Sequence, residues 1–288
     1  MKSDPHAFAG LAAEQIVKGM GLTLPIDPIK VARDRDIEVA AKPASGGGVS
    51  GMLIRVGDQF AIAYATHIDN EGFKNFCVAH ELGHYFLPGH PDAVLKGGMH
   101  QSRAGFTSGD PYEIQADRFA AAFLMPRHLF FPALQAAGEG LAAIETLREL
   151  CKTSLHATAI RYAQCTRELV AVVLSTGSRI DHCFMSDALK QVGGIDWLRK
   201  REAVPRGTPT HAFNQDQANV RRAVRLEGSS NLQDWFGGRH RVSINEDVVG
   251  LGSYGKTLTV LYGIDVPDVE DQEEEDALIE SWTPRFRR

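Results

Sequence analysis

Between Phe76 and Tyr85 the chain reads Phe-Cys-Val-Ala-His-Glu-Leu-Gly-His-Tyr. Phe76, Val78, Ala79, Leu82 and Tyr85 give an apolar helix, yet His80, Glu81 and His84 stand in its middle. Polar groups drawn into an apolar setting need partners. In a helix, positions i and i+4 share a face. His80 and His84 therefore aim two imidazoles at one point, with Glu81 beside them. A metal ion meets that demand, and this is the physical content of the His-Glu-x-x-His pattern. Zinc binds imidazole nitrogen at ~2.0–2.1 Å, and a catalytic site keeps one position open for water. The ion lowers the pKa of that water towards ~7, and Glu81 can take its proton and pass it to a leaving amine. The pattern points to a zinc-dependent peptidase.

A third ligand is needed. Residues 113–126 read Glu-Ile-Gln-Ala-Asp-Arg-Phe-Ala-Ala-Ala-Phe-Leu-Met-Pro. Asp110-Pro111 supplies a cap and a first-turn proline, so a helix is expected over about 111–124. Glu113 and Asp117 share one of its faces, and Phe119, Ala120, Phe123 and Leu124 pack an adjacent one. In this reading Glu113 binds zinc, and Asp117 accepts the other ring N–H of a ligand histidine.

The rest of the chain frames these two helices. A helix is expected over 5–20 and a short one over 26–35, separated by Pro25 and Pro28. A strand follows near 38–40, then a turn or flexible loop at 45–51. Met52–Val56 and Phe60–Tyr64 look like paired strands around Gly57-Asp58. The motif helix spans about 71–87 and stops at Pro88-Gly89. Residues 88–111 look like an irregular loop, and two or three helices run on to Cys165. Beyond a boundary near 166 the texture becomes α+β. Strands are expected near 169–174, 180–185, 241–244 and 258–262, with a helix near 187–201. Residues 268–276 are nearly all acidic.

With 288 residues, 43% of them hydrophobic and 23% charged, the composition is that of a globular protein, and the length suggests two domains or one domain with a large appendage. A formal net charge of −5 gives no whole-chain signal for nucleic acid. Cys77, Cys151, Cys165 and Cys183 show no paired spacing, which argues against a zinc ribbon or a disulfide framework. No signal-peptide pattern and no membrane-length apolar stretch is present, so a soluble cytoplasmic protein is expected.

FCVAHELGHYFL followed by EIQADRFAAAFLMP resembles the ImmA/IrrE family of bacterial metallopeptidases, over roughly residues 10–165. The resemblance implies an α+β, gluzincin-like domain with His80, His84 and Glu113 as zinc ligands and Glu81 as general base. Asp117 stands where many family members carry Asn. The resemblance also implies a biology, in which a partner repressor of the helix-turn-helix type is cleaved and a stress, mobile-element or anti-phage operon is switched on. Residues 144–168 resemble the family's helix-turn-helix-like segment, but three acids nearly balance four bases there, which speaks against DNA binding.

Long family members carry a C-terminal domain thought to act as a sensor. The layout here is similar to that of CapP-type regulators of anti-phage systems, through residues 232–236 and 250–262. The implied organisation is a peptidase domain over 1–133, a helical connector over 134–166, a small GAF-like sensor over 167–267 and an acidic tail over 268–288. Residues 185–245 hold ten Lys or Arg against six Asp or Glu. Arg199, Lys200 and Arg201 form one cluster, Arg221, Arg222 and Arg225 a second, and Arg239 and Arg241 a third. Trp197, Phe213, Trp235 and Phe236 lie among them. Basic groups with aromatic platforms fit single-stranded nucleic acid. Together with the resemblance, this makes single-stranded DNA a candidate activator, with DNA damage as the signal the resemblance implies.

A free peptidase needs restraint, and a thiolate from Cys77 or Cys183 could fill the open zinc position. His90, His100 or Tyr112 could stabilise the oxyanion of the reaction. The competing reading is a non-catalytic ligand-sensing or DNA-binding regulator with a vestigial zinc site. The intact His80, Glu81, His84 and Glu113 weigh against it.

Overall fold

The computed structural model describes residues 6–43, 49–66, 70–102, 109–238 and 241–266. The chain divides into two compact units, Met1–Thr166 and Arg167–Arg288. The architecture is α+β.

The first unit opens with helices α1 (Ala7–Gly19) and α2 (Pro28–Arg33) and strand β1 (Glu38–Lys42). Strands β2 (Gly51–Val56) and β3 (Gln59–Ala65) form a hairpin, with Val56 opposite Gln59 across Gly57-Asp58. Gly57 has φ 60°, the left-handed backbone such a two-residue turn requires. Helix α3 (Glu71–Phe86), the short α4 (His90–Val94) and strand β4 (Met99–Ser102) follow. β4 was not expected. It lies in the stretch read as an irregular loop, too short and polar to show a period, and exists because it pairs antiparallel with β2. The sheet order is β1-β3-β2-β4, with β1 parallel to β3. Helices α5 (Pro111–Leu124), α6 (Arg127–Ala137), α7 (Gly140–Cys151) and α8 (Leu155–Cys165) complete the unit.

α3 is the central element. The Asn70 side chain caps it by accepting the Phe73 N–H. Every residue from Asn75 to His84 is buried, so the helix has no solvent face along that length. It packs on β2 and β3 from one side and on α5 from another, and α5 packs in turn on α1. At Gly83 an added Cβ would stand 3.2 Å from Ala116 Cα and 3.2 Å from Phe119 Cβ. The missing side chain lets α3 and α5 approach closely. Phe86 and Phe119 stack across this contact, and Phe119 stacks on Phe123.

The second unit is built on a five-stranded antiparallel sheet of order β6-β5-β9-β8-β7. Its elements are β5 (Ala171–Thr176), β6 (Arg179–Met185), α9 (Asp187–Gln191), α10 (Pro209–Asn214), α11 (Gln217–Arg221), β7 (Arg225–Asn231), α12 (Leu232–Phe236), β8 (Ser243–Gly250) and β9 (Thr257–Tyr262). The helix expected over 187–201 is only α9. Gly193-Gly194, with Gly194 at φ 73°, follows directly and does not continue a helix. Trp235, Phe236, Leu232 and Leu189 form the core with inward residues of β5, β6, β8 and β9. Glu246 is wholly buried among them and accepts from the Thr210 N–H, the Thr210 and Ser230 hydroxyls and the Trp235 indole N–H. With four donors a buried carboxylate is satisfied. The acidic tail lies outside the described residues.

Candidate metal centre

Because α3 and α5 lie side by side, His80 and His84 of the first meet Glu113 of the second. His80 Nε2 is 3.1 Å from His84 Nε2 and 3.4 Å from Glu113 Oε2, and His84 Nε2 is 3.1 Å from Glu113 Oε1. A tetrahedral zinc with ligands at ~2.0–2.1 Å sets its ligand atoms on the order of 3.3 Å apart. The three residues thus have both the chemistry and the spacing of a zinc ligand set. Among the described residues they are the group of three or more histidine, cysteine or carboxylate side chains close enough to share one ion.

Charge points the same way. Burial by itself would lower the His80 pKa, but hydrogen bonds to Asp117 and Glu113 and the charge of Glu81 carry it up to about 10. Burial, with His80 and His100 nearby, lowers His84 to about 4 despite its bond to Glu113. Burial also opposes ionisation of Glu113, yet His100, His80 and His84 hold its pKa far below the ordinary carboxylate range. Three carboxylates, Glu81, Glu113 and Asp117, surround one site that favours positive charge. A divalent cation answers that field.

Glu81 has an unusual setting. It is wholly buried, and neither carboxylate oxygen has a hydrogen-bond partner of normal geometry among the described residues. Burial raises its pKa to about 7, against the pull of His80, Ser102 and His100. A buried carboxylate so poorly satisfied is costly, and its cost calls for an explanation. The space for it comes from Gly51 at the start of β2, where a Cβ would collide with Glu81 Oε1. Sequence reading placed Gly51 in a flexible loop. The contact spans thirty positions, and no local pattern announces it.

Asp117 Oδ1 lies 2.9 Å from His80 Nδ1, where it can accept that ring N–H and so, with a metal bound, leave Nε2 to face the ion. The three groups left open as oxyanion stabilisers separate in space. His100, on β4, points Nε2 at Glu113 Oε1 from 2.8 Å, and its ring lies 4.6 Å from that of His84. His90 instead sits behind His84, Nδ1 to Nδ1 at 3.2 Å, and the Tyr112 ring packs edge-on against His90. Only His100 faces the cluster from the sheet side.

Cys77 is buried one helical turn before His80 and outside the ligand group. Burial and the charges of Glu81 and Asp117 push its thiol up to about 12, which disfavours a thiolate. Burial does the same to Cys183, on β6 of the second unit, also to about 12.

The basic residues of the second unit do not gather. Arg199, Lys200 and Arg201 are exposed beside β6, where the Arg201 N–H donates to the Ile180 carbonyl. Arg221, Arg222 and Arg225 are exposed at the end of α11 and the start of β7, the opposite edge of the sheet. Four strand spacings separate those edges, about 19 Å. Arg241 is exposed and donates to Gln233, while Arg239 lies outside the described residues. Of the four aromatics read as stacking platforms, Phe213, Trp235 and Phe236 are core residues, and Trp197 alone is exposed. The correction has a simple cause: composition near basic residues does not tell which side chains face the core. In the first unit, α7 and α8 are joined by a tight turn through Lys152, at φ 54°. Arg161, the one cation of α8, donates to the Met125 carbonyl and to Glu14. That helix therefore lacks a free cation with which to read DNA. No helix among the described residues is long and apolar enough to cross a membrane.

No curated protein matches the chain in sequence. A solved structure, a Mycobacterium tuberculosis transcriptional regulator, is similar in fold, with a TM-score of 0.54 at 16% identity over 91% of this chain and 93% of that one. The stretch that contains His80, Glu81, His84, Glu113 and Asp117, residues 32–162, matches a peptidase family model described as the IrrE N-terminal-like domain.

Proposed function

We propose that the chain is a zinc-dependent regulatory endopeptidase, with His80, His84 and Glu113 as ligands and Glu81 as general base. The observation that carries this reading is the wholly buried Glu81 carboxylate, without a hydrogen bond of normal geometry, beside a ligand set of zinc spacing. The match of residues 32–162 to a peptidase domain supports it independently.

Bound zinc supplies a Lewis acid that polarises the scissile carbonyl and makes water acidic near neutral pH. Glu81, with a pKa near 7, suits a group that takes a proton from water and returns it to the leaving amine. Asp117 holds His80 in the tautomer that offers Nε2. Glu113 anchors the site from α5. Of the three groups considered for the oxyanion, we favour His100, because it alone faces the ligand cluster from the sheet side, where its Nε2 meets Glu113 Oε1.

The substrate we infer is a helix-turn-helix repressor, so that cleavage switches on a stress or defence operon. The transcriptional-regulator fold of the solved relative fits this role. In this reading α7 and α8 are a helix-turn-helix-like connector used for packing, and the second unit is a sensor of GAF-like type. Its split basic surface makes single-stranded DNA a weaker candidate signal than composition alone implied. Co-expression with the repressor encoded beside the gene tests the activity. Cleavage is expected for the wild type and lost in Glu81→Gln, while the variant retains about one zinc per chain by elemental analysis. Cleavage that persists in Glu81→Gln overturns the mechanism.

A further inference from the structure

Behind His84 runs a line of polar contacts that the peptidase chemistry does not use. His84 Nδ1 lies 3.2 Å from His90 Nδ1, His90 Nε2 lies 2.8 Å from Gln115 Oε1, and Gln115 Nε2 lies 3.2 Å from His6 Nδ1. His84 and His90 are both buried. The line runs from α3 through α4 and α5 to the residue before α1.

Its direction follows from valence. A neutral imidazole carries one N–H and one acceptor nitrogen, and an amide donates only through nitrogen. If His84 offers Nε2 to a metal, its proton is on Nδ1, which donates to His90 Nδ1. The His90 proton is then on Nε2, which donates to Gln115 Oε1. The Gln115 amide in turn donates to His6 Nδ1. Every atom has one role, and no member needs a charge. With any single member reversed, two donors or two acceptors would face each other.

We propose that His90 is a positioning residue for His84, and that the chain His84–His90–Gln115–His6 fixes the tautomer and ring plane in which His84 meets the metal. This rests on the reading of His80, His84 and Glu113 as a metal site. It makes the two histidine ligands unequal. His80 is backed by a carboxylate, Asp117, and His84 by a neutral ring. A carboxylate partner raises ligand basicity, whereas a neutral acceptor orients the ring without adding charge.

The full chain tests the proposal through metal binding rather than peptidase rate. Zinc affinity is measured by chelator competition, and site geometry by the visible spectrum of the cobalt-substituted protein. His90→Phe keeps a ring but removes the acceptor. It is expected to weaken zinc binding about 10–100-fold and to change the cobalt spectrum. His90→Asn restores a carbonyl acceptor near the Nδ1 position and should recover most of the loss. Gln115→Leu, one step further away, should show a smaller loss. Nitrogen-resolved imidazole spectra of the zinc-loaded wild type need no variant, and should find His84 protonated at Nδ1 and His90 at Nε2. The opposite tautomer at His90 overturns the proposal. So does a His90→Phe protein with unchanged affinity and spectrum, or a His90→Asn protein as weak as His90→Phe. A wild type that takes up no zinc would instead bring down the metal-site reading itself.

Discussion

Gly51 matters for the side chain it lacks. Any Cβ there would press on the Glu81 carboxylate, which is enclosed on every side. Gly51→Ala should therefore displace Glu81, the proposed general base, without touching a proposed metal ligand. A misplacement of about 1 Å at a reacting group costs about 100-fold in rate. The expected outcome is a loss of that order in kcat/KM on the proposed repressor substrate, with zinc content near the wild-type value. A parallel loss of zinc would show that Gly51 supports the ligand helix instead. The same residue marks a limit of sequence reading. His80, Glu81, His84 and Glu113 announce themselves through helical spacing, which is local. The room that makes Glu81 useful arises between β2 and α3, and spacing does not encode it.

At the level of elements, legibility followed the range of the forces involved. α5 was readable because Asp110 and Pro111 set its start by local chemistry, and Asp110 indeed accepts the Tyr112 N–H. The β2–β3 hairpin was readable from its two-residue turn. β4 and β7 were not. Both are edge strands with mostly polar or exposed residues, held by a neighbour rather than by their own pattern. Cross-strand charge shows the same dependence on context. Asp181 on β6 pairs with Lys256, just ahead of β9, so the contact reaches across β5. Burial disfavours the Asp181 charge, but the bonds from Lys256 and Thr176 prevail, and its pKa falls below the ordinary 3.8. Ionised Asp181 therefore stabilises the fold above pH 3.8, and that contribution disappears as the pH falls through the lowered folded-state value. Lys256 is more than a third exposed, so the pair is partly screened and worth less than about 1 kcal/mol. Asp181→Asn should lower the urea midpoint slightly at pH 7. Its difference from wild type should shrink towards zero as the pH is brought below 3.8.

For the whole molecule, the two units give metal removal a distinctive signature. All the proposed ligands lie within Met1–Thr166. With free zinc a thousandfold above its Kd, binding contributes about 4 kcal/mol to the folded state. For a unit of this size that corresponds to a shift of about 10 °C in Tm. Calorimetry with and without a chelator should show one transition moving down by this order while a second stays in place. Movement of both by the same amount would mean that the units unfold as one.

β4 carries His100 and, among the described residues, pairs along only one side. Its other side is a row of backbone donors and acceptors on the strand whose His100 meets Glu113. A polypeptide that lay there would be held by its main chain and would have to be extended over several residues. Such a site chooses by conformation before it chooses by sequence. A tightly folded domain offers it nothing, whereas a hinge, a loose linker or a partly melted helix in the same protein presents itself at once. If the chain is the peptidase proposed above, its substrate would be cut where it is least folded, and anything that loosens that substrate would hasten its removal.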